Sequence, residues 1–359
     1  MNKEYKIVLI NGDGIGEEIV AAAKVVLEKV ANKYQVKFDF TRALAGGEAI
    51  DAVGVPLPDT TIEACKKADA VLLGAVGGPK WDHVAPKLRP EQAILGLRKA
   101  LSLYVNLRPI KVFDALLEFS PLKPENVADT DLLIVRELNG GIYYGEKKEA
   151  YIDTDGVEKA SDLEIYSRPE IERLMNFTKN IAKLRNKKVT SVDKANVLAS
   201  SRLWRKITND IIGQDSELEL EHLYVDNCAM QMVLKPKQFD VVVTNNIFGD
   251  ILSDEAAVIA GSIGMLPSAS LGDGTALYEP IHGSAPDIAG QNIANPLGTI
   301  LSAAMMLKYS LNMSEAAEDI EQAVKCFLQA GYRTADLYRP GLKKVGTNEV
   351  GELISQYIK

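Results

Sequence analysis

Tyr5-Lys-Ile-Val-Leu-Ile-Asn-Gly-Asp-Gly-Ile-Gly16 joins a short apolar run to a glycine turn, and the turn opens into a helix. Ile19, Ala23, Val26, Leu27 and Val30 recur at helical spacing between Glu17 and about Lys33. A strand, a glycine turn and a helix in that order is where a dinucleotide fingerprint would sit. The spacing here is G-x-G-x-G rather than G-x-G-x-x-G, and Asp39 lies inside the next strand instead of just past it. The turn therefore reads as a tight bend of the kind glycine permits. It can still line a pocket, because α/β folds gather ligands at strand ends.

Outward from this unit, strands are expected at Val36–Phe40, Ala70–Ala75, Leu103–Leu107, Leu132–Val135, Lys188–Val192, Leu218–Val225 and Phe239–Thr244. Helices are expected at Gly47–Ala52, at Thr60–Lys67 behind an Asp59 N-cap, and at Glu91–Ala100, Pro169–Leu184, Ser200–Ile212 and Cys228–Leu234. The alternation predicts an α/β fold with a largely parallel sheet. Tyr143 to about Tyr166 breaks the rhythm. It is polar, with a turn at Asp155-Gly156, and reads as a projecting hairpin suited to a dimer arm. From Gly261 to Gly298 the chain reads as a long glycine-rich stretch, followed by helices near Pro296–Tyr309, Ser314–Ala330 and Asn348–Ile358.

The 359 residues suit two domains or one large α/β unit, and a hydrophobic content of 47% supplies ample core. A net charge of −8 argues against a nucleic-acid or anionic-membrane partner, so an anionic substrate would need a local cluster of Arg and Lys. Cys65, Cys228 and Cys326 are scattered and odd in number, which fits reduced thiols in a cytoplasmic protein rather than a disulfide frame. The N-terminus leads straight into a strand, so no signal peptide is expected. No apolar run approaches the roughly 18 residues of a membrane span.

The strongest chemical signal is Asn246-Ile-Phe-Gly-Asp-Ile-Leu-Ser-Asp-Glu255, which follows an apolar strand. Asp250 and Asp254 are four apart and share one helix face. Their mutual repulsion becomes a binding site if a cation sits between them, and oxygen ligands suit Mg²⁺ or Mn²⁺. The blander reading is a helix start with solvated acids. Arg98 lies on the Glu91–Ala100 helix, while Arg108 and Arg136 read as strand ends; arginine suits carboxylates because its donors are planar and paired. Glu91, Leu95 and Arg98 share a face, with Ile94 beside them. Tyr143 and Lys194 are candidate proton carriers, Asp226 is a third acid after a strand, and His282 lies in a loop. His83 and His222 lack metal-type spacing.

Together these segments resemble the β-decarboxylating dehydrogenases of the isocitrate/isopropylmalate type, from Ile7 to about Met306. The segments that carry the resemblance are Asn11–Gly16, Leu97–Lys99, Asn106–Pro109, Val135–Gly145, Ser191–Val197, Tyr224–Asp226, Asn246–Glu255 and His282–Asp287. The resemblance implies a two-domain α/β fold that is not a Rossmann fold. Residues 1–103 and 261–359 would form a discontinuous cofactor-side domain, and 104–260 a substrate, metal and dimerisation domain with an arm near 144–166. It implies a homodimer with shared active sites. Asp250 and Asp254, with Asp226 of the second copy, would hold Mg²⁺ or Mn²⁺, and Arg98, Arg108 and Arg136 would clamp the substrate carboxylates.

The implied reaction is NAD-dependent oxidation and decarboxylation of a 3-substituted malate. Lys194, also from the second copy, would handle the hydroxyl proton, and Tyr143 would protonate the enolate. NAD would lie along His282, Gly283, Ser284, Ala285, Asp287, Ile288 and Asn295, with Ile15 and Glu91 nearby. Asp287 would favour NAD over NADP by accepting from the ribose 2′-OH. Ile94, Leu95 and Val197 would make an apolar pocket, which favours 3-isopropylmalate, and so leucine biosynthesis, over a substrate with a third carboxylate. A malate- or tartrate-like preference is the nearest alternative. Ala93 and Asn245 stand where glycine is expected. Cys228, two residues from Asp226, raises the expectation of thiol-reagent sensitivity. A Mg²⁺-dependent phosphate-transfer enzyme would want G-x-x-x-x-G-K-[ST], and no such match occurs. A non-catalytic protein of this fold would have no need of Lys194, Tyr143 and all three aspartates together.

Overall fold

A ten-stranded mixed sheet runs through the computed structural model, which describes residues 3–359. The strands of this sheet and of one hairpin, in chain order, are β1 (Glu4–Gly12), β2 (Lys37–Arg42), β3 (Ala70–Ala75), β4 (Leu103–Lys111), β5 (Asp131–Glu137), β6 (Lys147–Ile152), β7 (Glu158–Asp162), β8 (Lys188–Asp193), β9 (Glu219–Tyr224), β10 (Val241–Thr244), β11 (Pro267–Gly272) and β12 (Leu277–Pro280). The large sheet has the order β2-β1-β3-β12-β11-β4-β5-β10-β8-β9, and β6 and β7 form a separate antiparallel hairpin. Pairing is parallel except along β12-β11-β4-β5, where each neighbour is antiparallel. The sheet therefore reverses direction between β4 and β5, near its middle.

The inner strands read as continuous apolar runs because both faces are covered. Every residue of β3 and β10 is buried. Helix Leu297–Tyr309 is apolar on all sides and buried from Leu297 to Leu307, so it fills the interior between the sheet and its neighbours. By contrast, every residue of β6 and β7 is exposed, and the chain turns at Gly156 with φ +75°. Among the described residues, no helix is long and apolar enough to cross a membrane.

Four local expectations need correction. β11 and β12 lie inside what reads as a glycine-rich stretch, yet they occupy the centre of the sheet. Arg108 does not end its strand, because β4 continues through Pro109 to Lys111. β11 pairs β4 no further than Leu107, so Pro109 stands where β4 has a single neighbour, and its missing N–H costs no ladder bond on that side. Asp59 is the first helical residue behind Pro58, where its charge serves the helix dipole rather than a cap. The Asp250 helix, which reads from sequence as reaching about Ile263, spans only Asn246–Ile259, and Ile263–Met265 is a separate turn.

Candidate active site

Register brings the arginines together. Arg136 of β5 pairs with Asn106 of β4, and Arg108 lies two residues along from Asn106. The two arginines are thus diagonal neighbours on one face of the sheet. Helix Asn246–Ile259 packs over that face. Arg136 donates through Nε and Nη2 to Asn246 Oδ1, at 3.1 and 2.8 Å, and through Nη1 to Asp250. Arg108 donates to Asn106 Oδ1 at 2.6 Å and Ser253 Oγ at 2.5 Å, and its Nη1 lies 3.4 Å from Asp250 and 3.6 Å from Asp254. Arg98 reaches in from its helix and pairs with Glu279 of β12 at 3.0 Å. Tyr143, in a short turn at Gly141–Tyr143, donates to Asp250 Oδ2 at 2.8 Å.

All three guanidiniums are buried, yet Arg98 Nε has no hydrogen-bond partner among the described residues. A buried, unpaired donor on a cation is costly, and an incoming carboxylate would satisfy it. Three guanidiniums face three carboxylates, so the cluster is balanced. A divalent cation would add two positive charges, which a dicarboxylate would cancel. Burial would raise the Asp250 carboxyl, but Arg136 and Arg108 outweigh it and hold the group below the usual carboxylate range. Burial dominates at Asp254, with Asp250 adding to it, so its carboxyl is raised. Burial and the bond to Asp250 raise Tyr143, which therefore keeps its proton at neutral pH. Burial pushes Arg108 and Arg136 down, but a guanidinium stays charged.

Lys194 and Asp226 form a second group. Lys194 follows β8 and Asp226 opens helix Val225–Leu234; their side chains bond each other, and that bond lowers the Asp226 carboxyl. Neither touches the arginine cluster. Among the described residues of one chain, no three His, Cys, Asp or Glu side chains meet to hold a metal. Ile94 and Leu95 are half-buried beside Arg98, whereas Val197 is 62% exposed. Cys228 is fully buried, and burial pushes its thiol up to about 12, so the expected thiol-reagent sensitivity is not supported.

A third group of loops gathers at the carboxyl ends of β1, β3 and β12. Ile15 N donates to Ser284 O at 2.8 Å, and Ser284 Oγ donates to Gly77 O at 2.7 Å. Gly14 has φ +56°, and a Cβ there would lie 2.0 Å from Ser284 O, so only glycine allows this approach. Glu91 Oε1 lies beside Gly77. Ile288 and Ala285 pack on Ile15. Gly283 and Asp287 are exposed, and His282 Nδ1 lies 2.9 Å from Gly283 O while its buried Nε2 is unpartnered among the described residues. Burial lowers the His282 imidazole, so it is neutral and able to accept a hydrogen bond. Asn295 is committed elsewhere. Its amide donates to Asp336 at 3.0 Å and accepts from Leu297 N at 3.0 Å, which fixes the loop's end.

A family model described as isocitrate/isopropylmalate dehydrogenase matches residues 6–354. The chain belongs to the isocitrate/isopropylmalate dehydrogenase family. It is 60% identical over 354 residues to a 3-isopropylmalate dehydrogenase of Clostridium acetobutylicum, covering 98% of this chain and 99% of that one. It is 56% identical over 357 residues to a 3-isopropylmalate dehydrogenase of Aquifex aeolicus, with 99% and 98% covered. Its structure is similar to an isocitrate dehydrogenase from Methylococcus capsulatus, with TM-score 0.88, 35% identity and 99% of each chain covered. It is also similar to a β-decarboxylating dehydrogenase from Thermococcus kodakarensis in its apo form, with TM-score 0.80, 36% identity, and 99% and 96% covered.

Within this family frame, several residues that order the site were not singled out from sequence. Asp13 is 4% exposed and accepts from Gly47 N, Glu48 N and Gly77 N at 2.7 to 2.9 Å, tying three loops together. Its place between two turn glycines was the available signal. Glu279, Asn246 and Tyr166 gave none, because their partners lie far off in sequence, and Glu137 reads from sequence as no more than the end of a strand. Asn245, where glycine was expected, accepts from Phe248 N at 2.8 Å and so caps the Asp250 helix.

Proposed function

We propose that this chain is an NAD-dependent 3-isopropylmalate dehydrogenase that forms 4-methyl-2-oxopentanoate and CO₂ on the way to leucine. The observation that carries the reading is the buried trio Arg98, Arg108 and Arg136 beside Tyr143, Asp250 and Asp254. Such a trio matches a small dicarboxylate, and the apolar Ile94 and Leu95 next to Arg98 match an alkyl branch rather than a third carboxylate. The high identity to 3-isopropylmalate dehydrogenases supports the same choice.

The exposed carboxylate of Asp254 and the partly exposed Asp250 fit an oxygen-ligated Mg²⁺ or Mn²⁺ site, completed by Asp226 of a second copy. When bound, the ion would stabilise negative charge on the substrate oxygens, and NAD⁺ would accept the hydride. Arg98, Arg108 and Arg136 fix the two carboxylates. Lys194 Nζ of the second copy, as the neutral amine, takes the hydroxyl proton, and Tyr143 Oη delivers one to the carbon that loses CO₂. The loops around Ile15, Glu91 and Ser284, with the neutral His282 and exposed Asp287, suit the cofactor. The discontinuous cofactor-side domain belongs to the same reading. It is supported by the strand order, which sets β2-β1-β3-β12-β11 on one side of β4.

Homodimerisation is supported by apolar side chains left exposed along two neighbouring helices. They are Met230, Val233 and Leu234 on one, and Ile251 and Val258 on the helix that carries Asp250. The exposed hairpin would serve as the arm. A cytoplasmic location is proposed, supported by three free thiols. The test is NADH formation from 3-isopropylmalate, NAD⁺ and Mg²⁺, with isocitrate, malate and tartrate in parallel. Turnover of isopropylmalate that stops with a chelator and returns with Mg²⁺ is expected. No NADH, or faster turnover of isocitrate, would contradict the reading.

A further inference from the structure

We propose that Tyr166 and Glu137 act with Asn246 as a positioning device, one that holds the Tyr143 loop in register with the helix carrying Asp250. The proposal rests on the function above. The three residues are buried at 7%, 0% and 1% exposure; none is assigned to substrate, metal or cofactor, and only Asn246 touches that machinery, through Arg136. Glu137 ends β5, directly after Arg136. It accepts from Asn139 N at 2.8 Å and Gly140 N at 2.9 Å, and from Tyr166 Oη at 3.2 Å. Tyr166 Oη in turn accepts from Asn246 N at 3.1 Å. Asn246 closes the ring. Its Nδ2 donates to Gly140 O at 3.2 Å, and its Oδ1 receives both donations from Arg136.

The direction of the chain is fixed. A backbone N–H can only donate, so Asn246 N fills a lone pair of Tyr166. The tyrosine proton must then go to Glu137, whose other bonds also come from N–H donors. Gly141 N donates to Ile165 O at 3.2 Å, which ties the loop to the same segment. Gly141 has φ +70°, and a Cβ there would lie 2.3 Å from Tyr166 Oη. The loop therefore rests directly on the tyrosine. Tyr143 lies two residues beyond Gly141, and Asp250 lies four beyond Asn246, so the ring governs the 2.8 Å contact between them. A fully satisfied buried polar ring of this kind specifies one arrangement, where an apolar contact would allow several.

The test is Tyr166→Phe, which keeps the ring and its edge-on contact with Trp204. Amide exchange is measured first, since it needs no activity. Asn246 and Gly140–Gly141 should exchange about tenfold faster in the variant, with helix Leu297–Tyr309 unchanged. With 3-isopropylmalate, kcat should fall about tenfold. The deuterium isotope effect on kcat, from substrate labelled at the carbinol carbon, should shrink toward unity, because a step after hydride transfer becomes limiting. The double variant Tyr143→Phe/Tyr166→Phe should be no slower than Tyr143→Phe alone. Glu137→Gln, which removes one acceptor position, should move the same readouts in the same direction. Unchanged exchange, or a full further loss in the Tyr143→Phe background, overturns the proposal. A wild type with no turnover would sink the proposed function, while the exchange comparison would still decide the anchor.

Discussion

Asp250 and Asp254 sit one helical turn apart and yet differ in kind. Asp250 is gripped by Arg136, Arg108 and Tyr143, whereas the Asp254 side chain is 59% exposed with Arg108 at 3.6 Å. Asp254→Asn should therefore raise the Mg²⁺ needed for half-maximal activity more than about tenfold. It should leave the urea midpoint nearly unmoved; unaltered Mg²⁺ dependence would remove Asp254 from the ligand set. Asp250→Asn should behave differently in metal-free protein. It uncovers two buried guanidiniums and should cost about 1–3 kcal/mol at pH 7, less than a wholly buried pair because its side chain is about one-third exposed. The folded carboxyl titrates below its ordinary value of 3.8, so its stabilisation is complete above that pH and is lost as pH falls through the folded pKa. Urea midpoints of wild type and variant should converge in acid; a gap that persists there would point to packing instead of charge. The residues of this cluster were readable from sequence because arginine and aspartate declare their chemistry. Glu279 and Asn246 did not, because their meaning depends on partners 181 and 110 residues away.

Helix Asn246–Ile259 shows what a local pattern can and cannot say. Its spacing revealed the two-acid face, but the cap at Asn245 reads from sequence as a mere departure from glycine. In the fold the Asn245 side-chain Oδ1 accepts from Phe248 N while its Nδ2 donates to Glu164 at 3.0 Å. Asn245→Ala should cost about 1 kcal/mol in urea unfolding, and Asn245→Gly only a few tenths. Equal losses for the two would show that the Glu164 bond, not the cap, matters. Strands β11 and β12 mark the opposite failure. Pro267-Ser-Ala-Ser-Leu-Gly272 has neither the alternation of a half-buried strand nor the branched apolar run of a buried one. Its small side chains are wanted because Leu297–Tyr309 packs against the strand, with Ser302 Oγ accepting from Ser268 N at 3.3 Å. That requirement comes from a helix whose Ser302 lies 34 residues further on, and no short window of sequence around Ser268 contains it.

At the scale of the molecule, alternating strand and helix signals were enough to give an α/β sheet, and the spacing of the first glycine turn argued against a Rossmann site. The reversals of direction along β12-β11-β4-β5 were not visible, because β11 pairs β4 from far along the chain and the connection from β4 to β5 carries no tight-turn signal. The reversal between β4 and β5 sets Arg108 and Arg136 side by side on the face that Asp250 covers. One chain still lacks part of the proposed machinery. Lys194 and Asp226 pair with each other away from Tyr143, and an apolar stripe continues from Ile251 to Val258 on the helix that carries Asp250. Two copies would satisfy both features at once. The decisive measurement mixes Lys194→Met protein, inactive alone, with Asp254→Asn protein, inactive alone at the Mg²⁺ concentration that just saturates the wild type, at that Mg²⁺ concentration and under conditions of proven subunit exchange. Heterodimers would hold one site with both substitutions and one with neither, so NADH formation should return to about a quarter of the wild-type rate for equal amounts exchanged at random. Exchange without any return of activity would contradict a site built from two chains.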